Sequence, residues 1–221
     1  MEHPLLYINI PGMEEYPHIV FMWVIMALLV ATGFVVSRGL KMVPRGAQNF
    51  LELAVSGVAD FMDESMGKGG RRFLPLIGTL GFFILISNLM GLVPGFAAPT
   101  ANINTNAAMA LVVFLTYNFV GIRKHGAFGY LKHFMGPIPW LAPLIFPLEI
   151  ITHLARPLTL TVRLFGNIFG EELVLVILAF LIPLFLPVPM MFLAIFTGLI
   201  QSVIFALLSM FYIAGALEEE H

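Results

Sequence analysis

The chain has 221 residues, of which 59% are hydrophobic and 11% are charged, and it contains no cysteine. Soluble globular domains carry about 25% charged residues, so the composition excludes a cytosolic enzyme, a nucleic-acid-binding protein and a disordered chain. Without cysteine, disulfide frameworks and thiolate metal sites are excluded as well. These numbers indicate a polytopic membrane protein.

A membrane-spanning helix needs about 20 mainly apolar residues. The first candidate is 19–36, which carries no charge. The preceding residues 1–18 contain no Lys or Arg, whereas a secretory signal begins with basic residues. We therefore expect 19–36 to be a retained span. In 47–66 the apolar and polar side chains fall on opposite helical faces, which predicts an amphipathic surface helix.

Two further spans are predicted at 73–93 and 107–121, and the chain ends in two long helical segments, 147–182 and 190–217. Prolines separate these last two segments, and no internal repeat is visible. The predicted fold class is an all-α polytopic membrane protein forming a single membrane domain. It has five membrane-embedded helices and one amphipathic surface helix.

Nine of the eleven Lys and Arg residues lie in three clusters, at 38–45, 68–72 and 123–132. The predicted spans place all three clusters on the same side of the membrane. Basic loops face the cytoplasm, so the N-terminus is predicted to be external.

The segment 148–182 is too long for an upright span. As a continuous helix it would extend about 52 Å, against a hydrocarbon core of about 30 Å. It must tilt by about 55°, beyond the usual limit of about 40°, or it must break. Pro157 is a natural position for a kink. We expect a steeply tilted hairpin from this segment and 190–217.

Polar side chains mark one face of that segment. Within a sector of about 120° lie Glu149, Thr152, His153, Arg156, Thr159, Arg163, Asn167 and Glu171. Glu172 points the opposite way. Charges at membrane depth cost about 2.5–3.5 kcal/mol each and are functional candidates by default. The face is therefore predicted to meet water, another helix or a partner.

Arg163 stands at the middle of this segment. A guanidinium does not deprotonate in proteins, so it is a fixed cation that can attract a partner's carboxylate and displace its proton. Arg156 has two open explanations, a structural ion pair with Glu149 or Glu171 and a side chain that reaches the interface. His153 is either a proton carrier or a hydrogen-bonded interior histidine.

The pentad Arg-Leu-Phe-Gly-Asn at 163–167, followed by Gly170 and Glu172, resembles the signature of subunit a of the bacterial F-type rotary ATP synthases. Residues 88–94 and 104–111 resemble the family's middle spans, and Gln201 with Tyr212 resembles its last helix. The resemblance runs through nearly the whole chain in order.

This resemblance implies a proton-conducting stator subunit of a bacterial inner membrane. It has no catalytic site, cofactor or metal of its own. The implied partners are the ring of c subunits, the b-subunit peripheral stalk, the catalytic head and membrane lipid. Protons pass through two offset half-channels, and the essential arginine drives deprotonation of a ring carboxylate, which couples proton flow to rotation and ATP synthesis.

By the same resemblance, Arg163 is the essential arginine and Gln201 faces it from the last helix. The resemblance also matches Asn167 to the asparagine one turn beyond the arginine and Glu172 to the acid of the outer half-channel. Glu149, Thr152 and Thr159 match polar positions of the inner path, and Tyr212 matches a position of the last helix. Glu171 and His153 are further candidates for proton transfer, because they are titratable side chains on the polar face. Some members carry a histidine where this chain has Ala194. The outer path is therefore expected to depend on the two glutamates and on water held by the asparagines at 102–106.

Three other classes of membrane protein would each leave a different mark on the sequence. A secondary transporter would show two similar halves with broken helices in matching places, and an intramembrane hydrolase would show H-E-x-x-H or G-x-S-x-G. The sequence has neither pattern. A non-conducting structural subunit would not need Arg163, since leucine would be more stable at membrane depth.

Overall fold

The computed structural model describes residues 17–38, 46–67, 69–93, 95–133, 140–181 and 187–217. These residues form six α-helices and two short 3₁₀ turns, with no strand in any of the described ranges. Five of the helices are long and apolar enough to cross a membrane. The predicted all-α fold class is confirmed.

The helices follow one another in a simple order. They are α1 (Pro17–Arg38), α2 (Ala47–Met66), α3 (Leu74–Gly91), α4 (Ile103–His133), α5 (Ala142–Leu181) and α6 (Pro187–Leu217). The two 3₁₀ turns, Gly70–Phe73 and Pro99–Ala101, precede α3 and α4. The N-terminus, which is predicted to be external, falls outside the described residues, as do the proline-containing connection around Pro183 and the acidic C-terminus.

α2 is the helix whose two faces differ most. Met62 is fully buried where α2 packs on α3 and α6, whereas Leu53 is 70% exposed. Gly67 ends the helix with φ 68°, a conformation that other residues rarely adopt. Beyond it, Arg71 turns back and forms an ion pair with Asp63 at 2.7 Å.

α4 extends from Ile103 to His133, with a non-helical backbone conformation at Gly126 within it, so it continues beyond both ends of the span predicted at 107–121. The side-chain oxygen of Asn102 accepts a hydrogen bond from the backbone N–H of Asn104 at 2.9 Å, which caps the helix start. The basic residues 123–125 lie within the helix rather than in a loop, since no residue interrupts the backbone before Gly126 (φ 73°).

The long predicted segment is a single helix rather than a broken one. α5 contains 40 residues, about 60 Å at 1.5 Å per residue, and passes through Pro147 and Pro157. It starts five residues before the predicted boundary of 147, because Pro143 is compatible with a first helical turn. α6 likewise starts on a proline, Pro187.

The core lies where α3, α4, α5 and α6 meet, since α3 packs on α6 and α4 packs on both α5 and α6. Its fully or almost fully buried side chains include Ile77, Ile84, Val113, Tyr117, Leu160, Leu164, Phe205 and Ile213. The outer faces of α5 and α6 expose large apolar side chains, such as Val176 and Phe192. The hairpin therefore has one face anchored in the bundle and another open to lipid or a partner.

Candidate functional site

Arg163 lies on the open face of α5. Its side chain is exposed, whereas the following residue, Leu164, is fully buried in the bundle. Among the described residues the one ion pair joins Arg71 and Asp63, so Arg163 has no ion-pair partner there. The described part of the fold thus presents a permanent cation from an apolar helix and supplies no acidic partner for it.

One turn after Arg163, α5 is tied to α6 by side-chain amides. The Nδ2 of Asn167 donates to the Oε1 of Gln201 at 2.8 Å. Gln201 is 3% exposed, while Asn167 lies at the surface. The structure brings these two predicted site residues together, and Gln201 contacts the asparagine rather than forming a hydrogen bond to the arginine.

The remaining side chains of the predicted polar face form two groups, one at the surface of α5 and one turned into the bundle. Thr152 and Thr159 are exposed, and their hydroxyls donate to carbonyls of their own helix, those of Leu148 at 2.9 Å and Ala155 at 2.7 Å. Glu149 is partly buried. These side chains line the same surface of α5 as Arg163, on the N-terminal side of it.

His153 and Arg156 instead turn into the bundle. His153 is 8% exposed, and its Nε2 lies 2.9 Å from the Oδ1 of Asn118 on α4. The guanidinium carbon of Arg156 lies 5.8 Å from the ring centroid of Tyr117 and 5.4 Å from that of Tyr212, within cation–π range. Neither alternative offered for Arg156 from the sequence includes this aromatic contact.

The ion pair proposed for Arg156 with Glu149 or Glu171 is absent from the described part of the chain. Sequence reasoning also missed Tyr117 and Asn118, which face this group from α4. The available signal was a tyrosine and an asparagine side by side within an apolar span.

The two adjacent glutamates have different surroundings. Glu171 lies against Thr197 of α6. Glu172 is half-buried and is followed by exposed Leu173. Ala194, where some members of the resembled family carry histidine, is 3% exposed on α6.

A buried polar chain joins α3, α4 and α6. The Nδ2 of Asn88 donates to the carbonyl of Gly198 at 3.3 Å, and the Thr100 hydroxyl donates to the Oδ1 of Asn88 at 2.7 Å. Asn106, fully buried, donates from Nδ2 to the carbonyl of Thr100 at 2.7 Å. The Oδ1 of Asn106 and the hydroxyl of Ser87 are buried without a hydrogen-bond partner, and such groups suit ordered water.

Five helices that are long and apolar enough to cross a membrane define the class of protein, a multi-pass membrane protein. Residues 19–214 match the family described as ATP synthase A chain. The chain belongs to this family, and the resemblance drawn from residues 163–167 is confirmed.

Full-length relatives agree with the family match. ATP synthase subunit a of Syntrophobacter fumaroxidans is 51% identical over 240 residues, and subunit a 1 of Syntrophotalea carbinolica is 51% identical over 235 residues. ATP synthase subunit a of Geobacter sulfurreducens is 49% identical over 230 residues. Each comparison covers 100% of this chain and 100% of the relative. This is a multi-pass protein of a bacterial membrane.

Proposed function

We propose that this chain is the proton-conducting stator subunit in the membrane sector of an ATP synthase, without a catalytic site of its own. Arg163 is the fixed cation that expels the proton from a carboxylate on a rotating ring of c subunits. The observation that supports this role is its exposed guanidinium, which has no ion-pair partner among the described residues of an apolar helix. A cation left unneutralised at membrane depth needs an external anion.

The surface beside the arginine leaves room for such a partner. A Cβ added at Gly166 or Gly170 would contact nothing within 4 Å. The outward side chains of α5 around them are large and apolar, among them Val162 and Phe169. A ring of apolar helices could therefore approach closely, and its carboxylate would meet Arg163 in a water-poor setting where charges interact strongly.

The polar groups on either side of Arg163 form two separate proton paths. The inner path follows Glu149, Thr152 and Thr159 along α5. The outer path uses Glu172 and Glu171, together with water held at the buried oxygens of the α3–α4 polar chain. Asn167 and Gln201 separate the two paths next to the arginine, and Tyr212 lies at the inner end of α6.

The assembly proposed around the chain includes the c ring, a peripheral stalk of b subunits and the catalytic head. In it the N-terminus is external and the basic loops are cytoplasmic. Proton flow through the two paths turns the ring and drives ATP synthesis in the head.

Arg163→Ala in the intact complex tests the proposal. We expect ATP-driven proton pumping into membrane vesicles to be abolished, while ATP hydrolysis by the detached head is retained. Arg71→Ala is the matched control, because that arginine is exposed in a surface ion pair worth at most about 1 kcal/mol. Normal pumping by Arg163→Ala would show a structural subunit or a different transport mechanism.

A further inference from the structure

Tyr117 and Asn118, two consecutive residues of α4, both contact His153 of α5. Asn118 contacts the imidazole of His153, and the Tyr117 hydroxyl contacts its main-chain carbonyl. We call this pair of contacts the α4 latch. The proton paths proposed above do not require it.

The contact between Asn118 and His153 has a defined hydrogen-bond donor and acceptor. The Nδ2 of Asn118 donates to the carbonyl of Phe114 at 2.7 Å, which turns the Oδ1 toward α5. This oxygen accepts from the Tyr130 hydroxyl at 3.1 Å and lies 2.9 Å from the Nε2 of His153. An amide oxygen only accepts hydrogen bonds, so His153 is the donor and its proton is on Nε2.

The second contact is at a position where the helix lacks a donor. In a regular α-helix the carbonyl of His153 would accept from the N–H four residues later, but that residue is Pro157, which has none. The Tyr117 hydroxyl donates to this carbonyl over 3.5 Å, a long hydrogen bond. Its ring is 1% exposed and packs edge-on against the imidazole, with the centroids 5.0 Å apart.

The surroundings make His153 an anchor rather than a proton carrier. Arg156 lies on the same helix face, and its guanidinium is held over the rings of Tyr117 and Tyr212. A second positive charge on the neighbouring imidazole would be repelled in this poorly solvated junction. Among the described residues, Tyr117 and Tyr130 pack edge-on against the imidazole, and Tyr212 packs against Tyr117. None of these tyrosines offsets a cation while its phenol is neutral.

We propose that Tyr117 and Asn118 are positioning residues, which fix α5 at Pro157 and thereby set where Arg163 meets its partner. This inference rests on the function proposed for Arg163. The arginine follows the proline by six residues, about 9 Å along the helix. A small change in helix direction at Pro157 therefore displaces the guanidinium, and misplacement by about 1 Å can reduce a rate by two orders of magnitude.

The proline provides a direct test of the Tyr117 contact. Tyr117→Phe keeps the ring and removes the hydroxyl, and we expect ATP-driven pumping to fall about threefold to tenfold, in line with one lost hydrogen bond. Pro157→Ala restores the main-chain N–H that the carbonyl lacks. In that background Tyr117→Phe is expected to have no further effect. Thr116→Val is the matched control, because its hydroxyl donates only within α4, to Val112.

Two results would overturn the role of Tyr117: an equal loss from Tyr117→Phe in both backgrounds, or no loss in the natural one. Subunit recovery in the purified complex is measured alongside, so that a folding defect is not counted as loss of pumping. Arg163→Ala, run in parallel, reports on the proposed function itself. Abolished pumping there combined with an unaffected Tyr117→Phe would reject the α4 latch alone.

His153 is tested by keeping its donor without its basic nitrogen. His153→Gln places an amide N–H near Asn118, whereas His153→Leu removes the donor. If His153 is an anchor, we expect near-normal pumping in the glutamine variant and reduced pumping in the leucine variant. Equal losses in both variants would instead make His153 a proton carrier.

Discussion

Asn167 and Gln201 form a side-chain hydrogen bond of 2.8 Å across the α5–α6 hairpin, one turn beyond Arg163. The buried glutamine is the acceptor and the surface asparagine is the donor. The bond joins the two helices of the hairpin next to the proposed essential arginine. The bond therefore fixes the depth of Arg163 relative to α6.

We expect Gln201→Leu to weaken coupling without preventing assembly. Such bonds between membrane helices are worth about 0.6 kcal/mol on average, equivalent to about threefold. Gln201→Glu keeps an acceptor for Asn167 but adds an acid, which would bind Arg163 and compete with the ring. Pumping rate at equal subunit content is the measurement. A larger loss for the glutamate than for the leucine variant is expected, and the reverse order would contradict the proposed competition.

Glu172→Gln is expected to slow passive proton flux through the membrane sector after removal of the head, with assembly retained. The amide preserves side-chain volume in this half-buried position but cannot take up a proton. Glu64→Gln is the matched control, because Glu64 is exposed on α2 and lies outside both proposed paths. Unchanged flux in Glu172→Gln would remove that residue from the outer path.

The fold class was predictable because its causes are local. Runs of apolar residues as long as 19–36 require helices in a membrane, and the opposite faces of 47–66 are visible in the residue order. The residues at which helices begin and end were harder to predict. The start of α4 depends on the cap from Asn102, and the kink within it depends on Gly126, and neither residue changes the hydropathy of the span.

The site was predictable only where residues lie on the same helix. The polar face of α5 follows from its period, but which members turn inward depends on neighbouring helices. His153 is buried because Asn118 and Tyr117 meet it from a helix more than 30 residues earlier. The aromatic contacts of Arg156 have the same origin. No spacing rule within α5 indicates them.

Gly198→Ala is expected to reduce the amount of subunit recovered in the complex. A Cβ at this position would lie 3.1 Å from the Cβ of Asn88, closer than ordinary contact, and would push apart the α3–α6 packing and the hydrogen bond between them. Overpacking of this kind costs about 1–3 kcal/mol. Gly33→Ala, on α1 with nothing within 4 Å, is the control. Equal recovery of both variants would show that α3 and α6 tolerate the separation.

The proposed orientation can be tested by thiol labelling, because the chain has no cysteine of its own. Gly69 and Val93 lie beyond opposite ends of α3 and are both exposed. A side chain at Gly69 would contact nothing within 4 Å. We expect a membrane-impermeant maleimide to label Gly69→Cys only from the cytoplasmic side and Val93→Cys only from outside. The expectation follows from the basic residues near Gly69, since such loops remain in the cytoplasm.

The opposite pattern would invert the topology and exchange the inner and outer proton paths, whereas labelling of both from one side would show that α3 does not span the membrane.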